Sequence, residues 1–280
     1  EWVIAIAKHV AGWGGDIVVG QQHAWFLPLG IIGFLLLTLL RTRLRLLGLI
    51  FAAAAFLLFL QGSSRLPADL LISEDGTLVL LRNDAAVMTN RTRLPSFIFD
   101  QRRYALRLPD PVKPLLLPPQ LPTGDSKPSP DDKLPDAAVA QARRQMAQAD
   151  STRFTCAPKA WCAAKSSSGI VVVVVEDGRY AGIACEVAGL VVAPRVRFPS
   201  CRSGAPLLNL QTLRKTGALE IDLADATDPG HWRVTPAISS RERPWSLHRQ
   251  YDWRRDTYDS SLPDWLRPQT TEKERSASYK

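Results

Sequence analysis

Two long stretches near the beginning of the chain, residues 24–40 and 46–60, contain no charged side chain. The short segment between them carries three arginines, Arg41, Arg43 and Arg45. Each apolar stretch approaches the ~20 residues that cross a bilayer as a helix. The pattern predicts a transmembrane helical hairpin over residues 24–61, and the alternative is a pair of helices buried in a large protein core.

The three arginines between the apolar stretches also predict an orientation. Basic loops between membrane spans stay on the cytoplasmic side, so both ends of the hairpin and the rest of the chain are expected outside the inner membrane. Residues 1–20 place apolar side chains at helical spacing opposite Lys8 and His9, which predicts an amphipathic helix on the outer membrane surface. A helix packed on a protein partner would show the same spacing.

Short apolar runs separated by turn residues follow the hairpin. The part from residue 65 to about residue 107 contains five such runs (DLLIS, TLVLLR, AAVMTN, SFIF and YALRL), which indicate strands. Asp75-Gly76 and Asn83-Asp84 are turn signals between the first three runs. Prolines are concentrated in residues 108–135, which predicts an extended or disordered insertion.

A second strand-rich part is expected over residues 136–245, and it begins with an Ala/Gln/Arg-rich helix from Asp136. Five consecutive valines, residues 171–175, are bounded by glycines and indicate a strand buried on both faces. Strands in both parts with helices between them predict a layered α/β or α+β sandwich. Residues 246–280 are expected to form a polar C-terminal tail.

The charge balance narrows the class of partner. The 280 residues include 35 lysines and arginines against 27 acidic residues, for a formal net charge of +8. This excess suits an anionic partner such as nucleic acid or lipid headgroups, although many basic proteins bind neither. We expect the chain, which begins at Glu1, to be a piece of a longer protein.

Cysteine usage agrees with an oxidising compartment. The chain has four cysteines, all in the part expected outside the membrane: Cys156, Cys162, Cys185 and Cys201. An even number in such a compartment predicts two disulfides rather than free thiols. The pairs Cys156–Cys162 and Cys185–Cys201 close the shortest loops, but the sequence leaves the connectivity open.

Motifs that carry known chemistries are missing from the sequence. No G-x-x-x-x-G-K-[ST] phosphate loop and no G-x-S-x-G nucleophile elbow is present. The cysteine spacings are not the C-x-x-C pairs of zinc sites. The four histidines are isolated from one another: His9, His23, His231 and His248. No cofactor or metal is therefore predicted.

The order of these features resembles the C-terminal part of the ComEC competence family, in particular the alphaproteobacterial kind. The members are inner-membrane DNA-uptake channel proteins. The resemblance is carried by the basic-turned hairpin, followed by PADLLISEDGTLVLLRND, FTCAPKAWC, GLVVAPRVRFPSC and LRKTGALEI. It covers residues 1 to about 90 and about 154 to 245, and it leaves out the Pro-rich insertion and the tail.

The resemblance implies a channel for one DNA strand and an outer domain with a metallo-β-lactamase-like fold. Members with an intact metal site carry a D-V-G-Q-G-D turn, where this chain has Ile72–Thr77. Their H-x-H-x-D-H motif is absent, and RVRFPSC replaces their HHGS-like turn. The resemblance therefore implies a degenerate domain, a pseudoenzyme without metals. Its implied partners are membrane lipid, the missing N-terminal channel helices and single-stranded DNA.

Two arginine-rich stretches are the predicted DNA contacts. Arg195, Arg197 and Arg202 lie beside the former ligand turn, and arginine pairs with phosphate oxygens bidentately. A later stretch interleaves arginines with aromatic side chains, as single-strand binding requires; its residues are Arg241, Arg243, Trp245, Arg249, Tyr251, Trp253, Arg254 and Arg255. The alternative is a solvated tail whose aromatic side chains pack on the domain edge.

The resulting prediction is a fragment of a bacterial inner-membrane protein for DNA uptake in transformation. It consists of a transmembrane helical hairpin followed by a degenerate metallo-β-lactamase-like α/β (α+β) sandwich on the periplasmic side. This outer domain would guide or bind DNA and not hydrolyse it. Two other classes stay open at this point: an active nuclease or hydrolase with an unrecognised site, and a membrane-anchored envelope protein without a nucleic-acid role.

Overall fold

The structure is a computed structural model. It describes nine segments of the chain: residues 2–12, 22–61, 68–84, 86–106, 108–118, 133–223, 228–238, 246–253 and 255–266. The chain divides into two compact units. The first comprises Glu1–Pro67 and Pro95–Leu108, and the second comprises Ala68–Leu94 and Pro109–Lys280.

The first unit is helical where it is described. Its helices are α1 (Trp2–Gly12), α2 (Phe26–Leu39), α3 (Arg45–Gln61) and α4 (Ser96–Leu106). Helices α2 and α3 pack closely because each has a glycine at the contact. A Cβ on Gly33 would lie 2.8 Å from the backbone nitrogen of Ala52, and one on Gly48 would lie 2.8 Å from the carbonyl oxygen of Gly33.

The predicted transmembrane hairpin is wrong. No helix among the described residues is both long enough and apolar enough to cross a membrane. Helix α2 has 14 residues and α3 has 17, which at the α-helical rise makes them about 21 and 26 Å long. A bilayer core is about 30 Å thick. The sequence prediction counted the apolar residues correctly, but α2 ends at Leu39 and α3 begins only at Arg45.

The predicted inner-membrane location, with a periplasmic C-terminal domain, is overturned by the same finding. Arg41, Arg43 and Arg45 therefore lose the topological role that the sequence suggested. Arg41 and Arg43 precede α3, and Arg45 is its first residue. The helix expected within residues 1–20 is present as α1, while residues 13–20 lie outside the described segments.

Helix α4 corrects two strand predictions. The runs SFIF and YALRL were expected to be strands, but both fall largely within this single helix. The residues that join the two runs, DQRR, include good helix formers. Pro95 precedes the helix, and its carbonyl accepts the first helical hydrogen bond, from the Phe99 N–H at 3.0 Å. Two short apolar runs therefore belong to one helix. Their apolar character alone did not distinguish a strand from a helix.

One antiparallel sheet of the second unit has five strands in the order β11-β10-β1-β2-β3. They are β1 (Leu70–Ile72), β2 (Val79–Asn83), β3 (Ala86–Thr89), β10 (Leu219–Asp222) and β11 (Arg233–Pro236). The first three strand predictions are confirmed, as are both turns between them. Gly76 has φ +66° and Asp84 has φ 51°, left-handed conformations that glycine and aspartate tolerate.

The second sheet has six strands in the order β4-β5-β6-β7-β8-β9. They are β4 (Leu115–Leu116), β5 (Thr155–Ala157), β6 (Trp161–Lys165), β7 (Val171–Val175), β8 (Leu190–Val192) and β9 (Leu207–Leu208). Strands β7, β8 and β9 run parallel, so their carboxyl ends meet at one edge of the sheet. We call it the carboxyl edge.

The valine strand is buried on both faces, as predicted. Val172 and Val174 join a core that includes Leu70 and Leu81 of the five-stranded sheet. Val173 and Val175 face the opposite core, which includes Met146. That core is closed by α5 (Asp136–Ala147) and α6 (Ala181–Val187). The predicted helix from Asp136 is thus confirmed as α5, whose buried residues recur at four-residue intervals: Ala138, Ala142 and Met146.

Two more helices and a two-stranded ribbon also belong to the second unit. Helix α7 (Leu210–Thr216) follows β9, and a short helix α8 (Leu247–Gln250) leads into a separate two-stranded ribbon. The ribbon consists of β12 (Tyr251–Asp252) and β13 (Thr257–Tyr258).

The predicted fold class is wrong as a whole. The chain is a mixed α/β fold with several sheets, and not a transmembrane hairpin followed by a degenerate metallo-β-lactamase-like sandwich. The physical reason on the helical side is the shortness of α2 and α3. In the second unit, the strands divide among a five-stranded, a six-stranded and a two-stranded sheet.

Candidate nucleic-acid interface

A loop rich in arginine leaves the carboxyl edge of the six-stranded sheet. It connects β8 to β9 and comprises residues 193–206; we call it the basic loop. Its three arginines, Arg195, Arg197 and Arg202, are all exposed. The loop begins at this edge, after β8, and returns to the opposite edge, where β9 begins, because the two buried strands are parallel. The structure thus brings the first predicted set of DNA contacts together on one loop.

The three arginines differ in their surroundings. The Nη1 group of Arg195 donates a hydrogen bond to the backbone carbonyl of Glu176 at 3.2 Å. In the part of the chain that the structure describes, no acidic side chain pairs with Arg197 or Arg202. Their guanidinium groups therefore have all their donors available for an external anion.

A further arginine at the same edge was missed by the sequence analysis. Arg91 follows β3, and its Nε donates to the carbonyl of Thr77 at 3.0 Å. Its Nη2 lies 3.7 Å from Oε1 of Glu176, the residue whose carbonyl also binds Arg195. The only sequence signal was the segment Arg91-Thr92-Arg93 directly after a predicted strand. Arg91 lies near the basic loop because of the way the two sheets are arranged, and the local sequence pattern does not reveal that arrangement.

The turn between β1 and β2 occupies the position that the ComEC resemblance assigned to a metal-ligand turn. Asp75 accepts hydrogen bonds from the Ser73 hydroxyl, the Thr77 N–H at 3.1 Å and the Thr77 hydroxyl at 2.6 Å. Burial raises the pKa of Asp75, but these hydrogen bonds outweigh burial and hold the pKa below its usual value. Asp75 therefore stabilises the turn through these hydrogen bonds.

The same turn lies against the start of the basic loop. A Cβ on Gly76 would come within 2.5 Å of Cγ of Pro194, so only glycine permits this approach. Glu74, the other acidic residue of the turn, forms an ion pair with Arg249 at 2.8 Å. Within the described segments, no three His, Cys, Asp or Glu side chains converge as a metal site would require.

The second predicted set of contacts is only partly described. Arg241, Arg243, Trp245 and Arg254 lie outside the described residues. Arg249 is engaged with Glu74 and also donates to the carbonyl of Arg214 at 3.4 Å. Arg255 lies 3.8 Å from the carboxylate of Asp252.

Aromatic side chains project from the β12–β13 ribbon. Trp253 is 70% exposed and Tyr258 is 67% exposed. The rings of Tyr251 and Tyr258 are 5.3 Å apart between centroids, and the Tyr251 hydroxyl donates to Asp256 at 2.7 Å. The predicted aromatic contacts Tyr251 and Trp253 thus sit on one short ribbon, to which the structure adds Tyr258.

Helix α7 connects the basic loop to the C-terminal segment that carries the ribbon. At its start, Asn209 donates from Nδ2 to the carbonyl of Phe198 in the basic loop, at 3.2 Å. At its end, Lys215 pairs with Asp259 at 2.8 Å and donates to the carbonyl of Ser261 at 3.0 Å. These bonds hold both candidate surfaces to the same helix.

The Lys215–Asp259 pair gives a testable pH dependence. Hydrogen bonds from Lys215 and Ser261 hold the pKa of Asp259 well below the ordinary 3.8. A depressed folded-state pKa adds stability that is present above the unfolded pKa and lost as the pH falls below it. Because the Asp259 side chain is 45% exposed, we expect Asp259→Asn to lower the free energy of unfolding at pH 7 by only about 0.5–1 kcal/mol.

Urea unfolding at several pH values checks this expectation. The difference between the original chain and Asp259→Asn should shrink as the pH falls from about 5 to about 2, because the carboxylate becomes protonated. The conservative change Asp264→Asn, at an acidic residue of the same segment, is the control. A difference that stays constant down to pH 2 would contradict the assignment.

Both disulfides expected from the sequence are present. Cys156 pairs with Cys162 and Cys185 pairs with Cys201, the two pairings that close the shortest loops. The first bridge joins directly opposed residues of β5 and β6. The second joins α6 to the basic loop.

Comparison with known proteins adds no identification. No protein-family model, curated protein or solved structure matches the chain. The resemblance to the ComEC family accordingly rests on the order of the sequence features alone.

Proposed function

We propose that the second unit binds single-stranded DNA without cleaving it, the guiding role that the resemblance to the ComEC family implies. The observation that carries the proposal is the basic loop, where Arg197 and Arg202 are exposed and have no acidic partner among the described residues. Arginine suits this role because its planar fork binds phosphate oxygens through two parallel hydrogen bonds.

Electrostatics support an anionic ligand at this edge. Arg91, beside the loop, and Arg195, within it, both contact Glu176, and the chain as a whole has a formal net charge of +8. Glu74 and Glu176 are each within ion-pairing distance of an arginine, which reduces their repulsion of an incoming phosphate. A polyanion therefore fits the carboxyl edge better than a cationic or neutral ligand.

The aromatic ribbon supports a single strand rather than a duplex. Exposed rings such as Trp253 and Tyr258 can stack on bases, and only unpaired bases present their faces to a protein. Stacking is tolerant of sequence because every base has a π-face. We therefore expect binding without strong sequence preference.

The arrangement of the acidic residues argues against hydrolysis of the bound DNA. Asp75 is committed to hydrogen bonds within its own turn, and Glu74 is committed to Arg249. Metal-dependent phosphodiester cleavage requires carboxylates and histidines that converge on one or two ions. The acidic side chains described at the carboxyl edge instead form ion pairs with arginines or hydrogen bonds within their own turn.

A binding comparison tests the proposal. The purified 280-residue chain should bind a labelled oligothymidylate of about 15 nucleotides more tightly than a duplex of the same length, as measured by fluorescence anisotropy. Equal affinity for the duplex would favour a purely electrostatic surface without base stacking. Absence of binding to either DNA at low salt would overturn the proposal.

A cleavage assay tests the non-catalytic part separately. Incubation of the chain with labelled single strands and Mg²⁺, Mn²⁺ or Zn²⁺ should leave the strands intact, because the described carboxylates are otherwise engaged. Glu74→Gln is the informative variant: any cleavage that disappears with it would assign a catalytic carboxylate. Metal-dependent cleavage at substoichiometric protein would contradict the proposal and favour a hydrolase.

A further inference from the structure

The basic loop is fastened to the rest of the second unit by a disulfide. Cys185 lies in α6 and Cys201 lies in the loop, with 5.5 Å between their Cα atoms and a sequence separation of 16. Both cysteines are buried, as are Ile183 and Ala184 of the same helix. The bridge therefore connects the loop to an element that is itself fixed in the core.

Hydrogen bonds fasten the loop at two further points. The Ser203 hydroxyl donates to the carbonyl of Cys185. The buried Asn209 side chain donates from Nδ2 to the carbonyl of Phe198 at 3.2 Å, while its Oδ1 accepts from the Thr212 N–H at 2.9 Å. Asn209 thus caps α7 and holds the loop with one side chain.

These fastenings lie next to the two arginines that have no acidic partner. Phe198 adjoins Arg197, and Cys201 adjoins Arg202. The backbone beside each arginine is held, whereas the guanidinium groups make no bond of their own in the described structure. Such an arrangement lowers the entropy lost when a loop binds a ligand, because the backbone is already ordered.

We infer that the Cys185–Cys201 disulfide and Asn209 are positioning residues for Arg197 and Arg202 in the binding of DNA phosphates. This inference rests on the proposed function. It assigns to the disulfide a role beyond stabilising the fold: without the bridge, the loop would sample more conformations, and binding would have to order it again.

The chain offers a matched control in its second disulfide. Cys156–Cys162 joins residues that already face each other in the antiparallel β5–β6 pair. Its removal eliminates one covalent bridge but leaves the disulfide and the hydrogen bonds that hold the basic loop unchanged. The comparison of the two bridges therefore separates positioning from a general loss of stability.

The experiment compares C185S/C201S with C156S/C162S in the full chain. We expect C185S/C201S to bind the oligothymidylate about five- to tenfold more weakly than the original chain, and C156S/C162S to bind within about twofold of it. Limited trypsin digestion should cut faster after Arg197 and Arg202 in C185S/C201S and at the original rate in C156S/C162S. The digestion needs no DNA, so it reports on the loop independently.

A second variant keeps the inference testable if C185S/C201S does not fold. Asn209→Ser retains a side-chain oxygen that caps α7 but removes the amide that holds Phe198, without a change in charge. We expect about two- to fivefold weaker binding and faster tryptic cleavage after Arg197.

Several outcomes would overturn the inference. Unchanged affinity of C185S/C201S and of Asn209→Ser would overturn it, whether or not the tryptic cleavage accelerates. An equal loss of affinity in C156S/C162S would also overturn it. If the original chain binds no DNA at low salt, the proposed function fails and the inference fails with it, whereas binding that is insensitive to these variants removes the inference alone.

Discussion

Replacing Arg195, Arg197 and Arg202 together by alanine is expected to weaken the binding of single-stranded DNA by about ten- to a hundredfold at about 0.1 M salt. The three exposed side chains belong to one loop that begins at the carboxyl edge, and two of them have no acidic partner in the described segments. If all three contact phosphates, the salt slope of the association constant should fall by about two units. Fluorescence anisotropy at several salt concentrations measures both quantities.

The control for this triple variant removes the same charge from the opposite edge of the six-stranded sheet. Lys165 pairs with Val171 at the amino end of β7, and Lys113 and Arg153 precede the paired strands β4 and β5. All three are exposed. K113A/R153A/K165A should change the slope by less than half a unit. Equal effects of the two triple variants would show that net charge, and not the basic loop, determines binding.

Replacing Trp232 by alanine is expected to lower the free energy of unfolding of the second unit by about 3–5 kcal/mol. Trp232 is 2% exposed and packs edge-to-face against Trp265, with 6.0 Å between ring centroids and an 84° interplanar angle. This contact joins the C-terminal segment to the main core. Removal of the indole would leave a cavity that the paired strands around it cannot fill. Urea unfolding followed by circular dichroism measures the loss.

Trp253→Ala is the matched comparison, since the same side chain is removed from an exposed position. We expect a change in stability within about 0.5 kcal/mol. DNA binding should instead weaken, by about 1–3 kcal/mol of binding free energy if a base stacks on the ring, with little change in salt slope. If Trp253→Ala destabilises the fold and leaves binding unchanged, the ribbon is a structural feature and not a binding surface.

The elements that the sequence predicted well are those with a strong local signal. Strands β1 to β3 alternate with turns at Gly76 and Asp84, whose residue types favour the left-handed backbone. The valine run of β7 could be assigned because it is short, continuous and β-branched. Helix α5 followed from its composition. In each case the information lies within about ten residues of sequence.

The failures concern properties that depend on boundaries or on distant contacts. The apolar stretches before residue 61 were recognised, but the ends of α2 and α3 were not, and those ends decide whether a helix can span. The sequence also did not reveal that Arg249, a predicted DNA contact, pairs with Glu74, which lies far away along the chain. Arg91 was overlooked because only the folded sheets bring it to Glu176.

At the candidate site, too, the sequence predicted the local features and missed those that depend on distant contacts. The exposure of Arg195, Arg197 and Arg202 agrees with their place in a polar loop after a strand. The fastening of that loop by Cys185 and Asn209 could not be read from sequence, because cysteine connectivity and side-chain hydrogen bonds are tertiary properties.

The binding of single-stranded DNA through phosphate contacts is tested most directly by one salt titration. The association constant of the 280-residue chain for an oligothymidylate of about 15 nucleotides should be measured between about 0.02 and 0.3 M salt. Each phosphate contact contributes about 0.7 to the slope for a single strand, so contacts from the basic loop alone predict a slope of about −2 on a log–log plot. A slope near zero, or no binding at the lowest salt, would contradict binding through phosphate contacts.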